Sequence, residues 1–248
     1  MGLIQSVDKS LSIIEEISKE PMGLGVRELA RRVDIGLTSA HNIASTLSSR
    51  GYLWQDDNKK YRLGVKLLKL SKGFQIDNVM AESAKPVVEA LVSEVGETAV
   101  LAAVEQGVIS KILHITANRQ LRVEESGDDM GYAHATGYGK ILLASMSNDI
   151  LASFLKQHDL KQFTDKTICG EDDILQELIT VRKQGYAVTS DEAVEGVSAV
   201  AVSVKDSSGQ IIAALGISMP TVRFSQEIKT DILDQLRKAA KQLTEQWG

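Results

Sequence analysis

Hydrophobic spacing, turn chemistry and uneven charge predict a two-domain α+β protein. Its expected parts are an N-terminal winged helix-turn-helix, a helical linker and a C-terminal domain with a mostly antiparallel sheet. Three observations carry this. Residues 25–63 read as helix, tight turn, helix and β-hairpin. Residues 1–73 hold 12 Lys/Arg against 8 Asp/Glu, a net +4, whereas residues 74–248 hold 16 against 25, a net −9. From Glu97 onward, strand-like runs alternate with helical ones, and the chain closes on a helix. A length of 248 residues favours two domains, with expected bounds of 1–74 and 75–248.

In the first domain, Ile4, Val7, Leu11, Ile14 and Ile17 or Ser18 recur at helical spacing, predicting a first helix. Pro21, Gly23 and Gly25 then break the chain. Val26, Leu29, Ala30 and Val33 fit one face of a second helix, and Asp34–Leu37, with Gly36, fits the brief turn of the motif. The third helix is expected to start at Thr38 or Ser39, either of which could cap it, and to stop at Gly51. Its apolar stripe is Ala40, Ile43, Ala44 and Leu47. Tyr52–Gln55 and Lys60–Leu63 are β-prone runs joined by the turn Asp56-Asp57-Asn58-Lys59. Gly64–Gly73 reads as a linker helix with Val65, Leu68 and a basic row of Lys66, Lys69 and Lys72.

In the second domain Asp77–Val95 is helical, with apolar Val79, Ala84, Val87, Val88, Leu91 and Val95. Pro86 either kinks this region or lies near the start of a second helix. Strands are expected at Thr98–Val104, Val108–Ile115, Gln120–Glu124, Tyr186–Thr189, Ala199–Val204 and Ile211–Ser218. Turns are expected at Glu105-Gln106-Gly107 and Asp206-Ser207-Ser208-Gly209, and helices at His134–Met146, Asp172–Gln184 and Gln226–Trp247.

The polar face of the third helix is the most telling feature. Thr38, Asn42, Ser45 and Ser49 centre it, flanked by Ser39, His41 and Thr46, with no carboxylate among them. An ordinary solvated helix would carry Glu and Lys there. Short donors and acceptors suit a groove lined by phosphates, which repels acids, so double-stranded DNA is the expected partner. Lys59, Lys60 and Arg62 sit where a wing could follow a phosphate backbone, and Arg27 adds a cation on the second helix. Phosphate affinity is local, so a basic head on an acidic body fits despite the overall net charge of −5.

Other chemistries lack support. Gly137-Tyr138-Gly139-Lys140 has one residue between its glycines where a P-loop needs four, and Ile141 follows the lysine. No GxGxxG or GxSxG motif occurs, and the four histidines show no ligand spacing. Asp172/Asp173 and Asp191/Glu192 read as a helix start and a solvated loop. No cofactor, metal or membrane span is expected, nor an export signal in Met1–Lys9. The single Cys169 fits a reducing cytoplasm.

Two ordered sets of motifs then stand out. The first is Ser6–Leu11, Glu28–Arg32, Ala40-His41, Arg50–Leu53 and Tyr61–Gly64. The second is Gly96–Ala99, His134–Lys140, Arg182–Tyr186, Glu192, Gly196-Val197 and Ala213–Ser218. In this order and spacing the whole chain resembles IclR-type transcriptional regulators. The resemblance implies a winged-helix head and a GAF-like α/β effector domain. It also implies a homodimer or dimer of dimers on a palindromic operator, with half-sites spaced ~34–36 Å or multiples of it. The implied effector pocket comprises Gly137, Tyr138, Gly139, Thr189, Val197, Ala199, Gly216 and Ser218.

The chain departs from the family in both sites. Leu37 and Asn42 stand where basic residues are common, which implies fewer phosphate contacts and makes Asn42 a candidate adenine reader. Members sensing small carboxylates carry a small residue, Asp, Cys and two Ser where this chain has Tyr138, Thr189, Ala199, Gly216 and Ser218. Only Ser218 keeps the polar group, so pyruvate and glyoxylate are expected to bind weakly or not at all. Tyr138 either stacks on a larger ligand or fills the cavity. The expected function is therefore ligand-responsive transcriptional regulation, repression rather than activation, without catalysis. The alternative is a dimeric DNA-binding module whose C-terminal domain only assembles subunits and binds no ligand.

Overall fold

The computed structural model describes residues 3–71, 76–105, 108–124 and 132–247. It divides into two compact units, Met1–Gln75 and Ile76–Gly248.

The first unit runs α1 (Gln5–Ser18), β1 (Leu24–Gly25), α2 (Val26–Arg32), α3 (Leu37–Ser49), β2 (Leu53–Gln55), β3 (Lys60–Leu63) and α4 (Val65–Ser71). Its core joins Ile13, Ile17, Leu24, Leu29, Val33, Ala44, Leu53 and Tyr61. α1 forms as its stripe predicts, but only one end of the stripe reaches the core: Ile4, Val7 and Leu11 are 68%, 53% and 54% exposed, while Ile17 is buried together with Ile13. A 3–4–3 apolar repeat looks the same whether it faces a core or solvent, and here the i, i+4 pair on the neighbouring face makes the contact.

The helix-turn-helix corner also differs in detail. Asp34, not Gly36, takes the left-handed conformation (φ +53°), which short Asp side chains tolerate. Gly36 is the N-cap of α3, without a side-chain cap, so Thr38 and Ser39 lie inside the helix. In the wing turn, Asp56 Oδ1 accepts from the Asn58 and Lys60 amides at 3.0 and 2.9 Å. The unexpected β1 pairs with β3, giving the antiparallel order β1-β3-β2. Gly23 permits it: φ is +73°, and a Cβ there would lie 2.7 Å from the Tyr61 carbonyl oxygen. Lys72, the last of the expected basic row, lies outside the described residues.

The second unit begins with α5 (Ile76–Val95), one helix with Pro86 inside it. Then follow β4 (Thr98–Glu105), β5 (Val108–Ile115), a 3-10 turn (Ala133–Ala135), α6 (Gly137–Ser145), α7 (Asn148–Gln157) and α8 (Glu171–Gln184). The chain ends with β6 (Tyr186–Ser190), β7 (Val197–Lys205), β8 (Ile211–Pro220), a second 3-10 turn (Thr221–Arg223) and α9 (Gln226–Trp247). The five strands pair antiparallel in the order β5-β4-β8-β7-β6. Period-two alternation sends Ala99, Leu101, Val200, Leu215 and Ile217 toward α5 and α9. Val100, Ala102, Ala201 and Ala214 go the other way, toward α6, α7 and α8.

Two expectations fail here, and one helix is new. Gln120–Glu124 forms no strand, because side chains rather than a ladder hold it: Thr98 Oγ1 donates to the Val123 carbonyl and Arg122 Nη1 to the Arg119 carbonyl. The predicted His134–Met146 helix is interrupted at extended Thr136, which caps α6 by accepting from the Gly139 amide at 3.2 Å. Unforeseen α7 is capped by Ser147 and buries Leu151, Phe154 and Leu155. Gln106 and Gly107 of the expected β4–β5 turn lie outside the described residues.

Candidate functional site

α3 buries Ala40 and Ala44 and turns Thr38, Ser39, His41, Asn42, Ser45, Thr46 and Ser49 to solvent. Thr46 Oγ1 donates to the Asn42 carbonyl and Ser49 Oγ to the Thr46 carbonyl, both at 2.8 Å. Those two hydroxyls therefore offer lone pairs outward. The side chains of Asn42 and Ser45 make no hydrogen bond among the described residues, and so present both donor and acceptor capacity. Arg27, Lys59 and Lys60 are exposed.

Arg62 is half-buried and braced within the wing. Its Nε lies 3.1 Å from Asp56 Oδ2, its Nη1 donates to the Pro21 carbonyl, and its guanidinium stands over Trp54. Arg32 is likewise engaged, 2.9 Å from both Glu20 and Glu28, and these carboxylates raise its pKa. Of the cations that the sequence assigns to DNA, Arg27, Lys59 and Lys60 are the exposed ones.

In the second unit, strand register gathers most of the predicted effector residues. Thr189, Ala199, Ser218 and Thr98 are successive cross-strand partners on β6, β7, β8 and β4. Gly216 stands two residues along β8 on the same face, between Val100 and Ala201. Gly137 lets α6 lie close to β7, since a Cβ there would be 3.3 Å from Ala201 Cβ and 3.8 Å from Ala199 Cβ. A Cβ at Gly139 would collide with the Ala133 carbonyl oxygen. Tyr138 is 5% exposed and belongs to the core cluster of Val100, Ala102, Ala201 and Ala214. Thr136, Val197 and Ala199 are only half-buried. A separate open cleft of about 1220 Å³, lined by Val104, Leu142, Met146, Phe154, His158 and Ile211, includes none of the predicted effector residues.

Sequence reasoning passed over Lys140. Its side chain is fully buried, with Nζ 2.8 Å from Glu192 and 3.1 Å from Glu177. Glu192 is thus no solvated loop residue. Burial pushes its carboxyl above the ordinary glutamate range, and Lys140 opposes that shift. Thr167 Oγ1 donates to the Glu192 carbonyl at 2.6 Å, while left-handed Asp191 accepts from the Gly196 amide and Lys166. These contacts, with Thr221 as a further donor, hold the Asp191 carboxyl below its usual range. Burial lowers the pKa of His134, whose Nε2 lies 3.0 Å from the Lys161 carbonyl. No signal in the sequence links Lys140 to two carboxylates 37 and 52 residues away.

Among the described residues, no group of three or more His, Cys, Asp or Glu could hold a metal ion, and no helix is long and apolar enough to cross a membrane. The sequence profile of the IclR helix-turn-helix domain matches residues 6–57. That of the bacterial transcriptional regulator IclR C-terminal domain matches residues 76–245. The chain is 31% identical over 246 residues to the HTH-type transcriptional regulator KdgR of Dickeya chrysanthemi, covering 99% of this chain and 80% of that one. It is 24% identical over 250 residues to the transcriptional repressor IclR of Escherichia coli K12, covering 100% and 91%. The crystal structure of the C-terminal domain of E. coli KdgR shares 31% identity, with a TM-score of 0.60 over 68% of this chain and 98% of that one. Sequence, fold and exposed α3 face thus agree, and the chain belongs to the IclR family of DNA-binding transcriptional regulators with a C-terminal effector-binding domain, not to a family of enzymes.

Proposed function

We propose that this regulator is a cytoplasmic repressor that grips a palindromic operator as a homodimer or dimer of dimers. In this reading residues 1–74 bind DNA and residues 75–248 bind the effector and assemble subunits. The carboxylate-free face of α3 carries the proposal, with Asn42 reading a base and Thr38, Ser39, His41, Ser45, Thr46 and Ser49 around it. Arg27, Lys59 and Lys60 contact phosphates, and Arg62 stiffens the wing that presents the two lysines.

The exposed face of α1 supports pairing. Ile4, Val7, Leu11 and Ile14 follow a 3–4–3 seam, the spacing by which two helices pack, and a second copy of α1 is its natural partner. A relative named a repressor favours repression. In this reading the effector site lies at the start of α6 and draws on Gly137, Tyr138 and Gly139 together with Thr189, Val197, Ala199, Gly216 and Ser218, supported by the close approach of Gly137 to β7.

Selection of duplexes from a randomised pool by the full-length protein, followed by fluorescence anisotropy, tests the reading. The expected product is a two-fold symmetric sequence bound with a steep salt dependence. Recovery of unsymmetrical or unrelated sequences contradicts it.

A further inference from the structure

The space between the start of α6 and the sheet is filled by the chain itself. On the side of the sheet that carries the core cluster of Tyr138, the strands offer Ala102 on β4, Ala214 on β8 and Ala201 on β7, with Gly216 paired to Ala201 and Ala201 Cβ 3.3 Å from where a Cβ on Gly137 would lie. Residues that small, on three adjacent strands, leave a dish suited to a flat ring, and Tyr138 is buried in that cluster. Resting on the reading of this place as the effector site, we propose that Tyr138 is an internal ligand. Its phenol holds the second unit in the filled state, and the compound that takes its place is an uncharged aromatic of about phenol size.

The charge class follows from the neighbours. Lys140, the cation in the first turn of α6, is held between Glu177 and Glu192 and has no exposed surface. His134 is buried, and its Nε2 is engaged by the Lys161 carbonyl. The polar side chains of the strand row are the hydroxyls of Thr98, Thr189 and Ser218. An anion entering here would find no side-chain counter-charge, only the backbone amides at the start of α6, whereas a neutral hydroxyl-bearing ring needs none. Half-buried Thr136, Val197 and Ala199 provide the rim through which such a compound would reach the dish.

Full-length Tyr138→Ala tests this, with p-cresol and benzoate as a neutral and an anionic probe of similar shape. By calorimetry the variant should bind p-cresol at least tenfold more tightly than benzoate, and at least tenfold more tightly than the wild type does. Operator affinity should shift at least fivefold in the variant and return toward the wild-type value with p-cresol. Ile174→Ala removes packing from the same cluster on α8 and should leave operator affinity within twofold, with or without p-cresol.

Preference for benzoate, or a variant whose operator affinity matches that of the wild type, overturns the proposal. Should Tyr138→Ala not fold, Tyr138→Leu carries the same measurements. Calorimetry needs no DNA, so failure of the operator reading in the wild type is separable from failure of this one.

Discussion

Lys140 Nζ lies 2.8 Å from both carboxylate oxygens of Glu192 and joins the first turn of α6 to the loop between β6 and β7. Only Oε1 meets it at hydrogen-bonding geometry, and Oε2 has no hydrogen-bond partner. Glu177 on α8 adds a third contact at 3.1 Å. Such a cluster contributes little relative to apolar packing but is costly to break from one side, because the charge left behind is buried.

Lys140→Met should therefore lower stability by about 3–5 kcal/mol, since it strands two carboxylates. Adding Glu192→Gln should recover much of the loss. Urea unfolding of the single and double variants measures the coupling; additive losses would show that the two residues act independently.

The same pair gives a pH signature. Glu192 is pushed above the ordinary value of 4.5 by burial, so between that value and its folded one the native state binds more protons than the unfolded chain. Its contribution is fully present below 4.5 and is lost as pH rises through the folded pKa. Asp191, held low chiefly by Lys166, works in the opposite sense: its contribution is lost as pH falls. Comparing urea midpoints of wild type and Glu192→Gln across this range isolates the first effect. An unchanged difference between the two proteins at all pH values argues against it.

At the operator, Asn42→Ala should cost roughly 1–3 kcal/mol and relax preference at one base position. Lys60→Ala should weaken all sequences about equally and reduce the salt slope by about one. Anisotropy on matched and single-mismatch duplexes separates these outcomes. Unaltered selectivity in Asn42→Ala would remove that residue from base reading.

A protein of residues 75–248 should remain folded and self-associate without DNA, because the small basic head is not expected to hold a long operator alone. Sedimentation velocity at micromolar concentration gives the answer. A monomer at that concentration places assembly in the first 74 residues, where the α1 seam is the candidate.

Legibility in the sequence varied with the range of the interaction. α9 is found at Gln226–Trp247 as its periodicity predicts, and the β7–β8 turn at Asp206–Gly209 forms as its Asp and Gly suggest. Both depend on neighbours along the chain. α7 was also within reach, through the Ser147 cap and the Leu151, Phe154 and Leu155 spacing. The buried face of α1 was not, because local spacing groups Ile17 with Ile4, Val7 and Leu11 while the core takes it with Ile13. At the effector site, the sheet residues could be placed only by analogy. That Lys140 is sealed between carboxylates, and that Tyr138 lies in the core, depend on packing between distant segments.

Pro86 has a consequence for how the second unit opens. It lacks an amide hydrogen, so the carbonyl of Glu82, one turn earlier in α5, receives no helical donor. Ala84, Val88, Leu91 and Val92 anchor the helix from within that turn onward, whereas Val79 is half exposed. Amide hydrogen exchange should therefore divide α5 at this point, with slow exchange after Pro86 and faster exchange before it. The first turns of α5, which follow directly on residues 1–75, would then fray while the sheet they lead into stays closed.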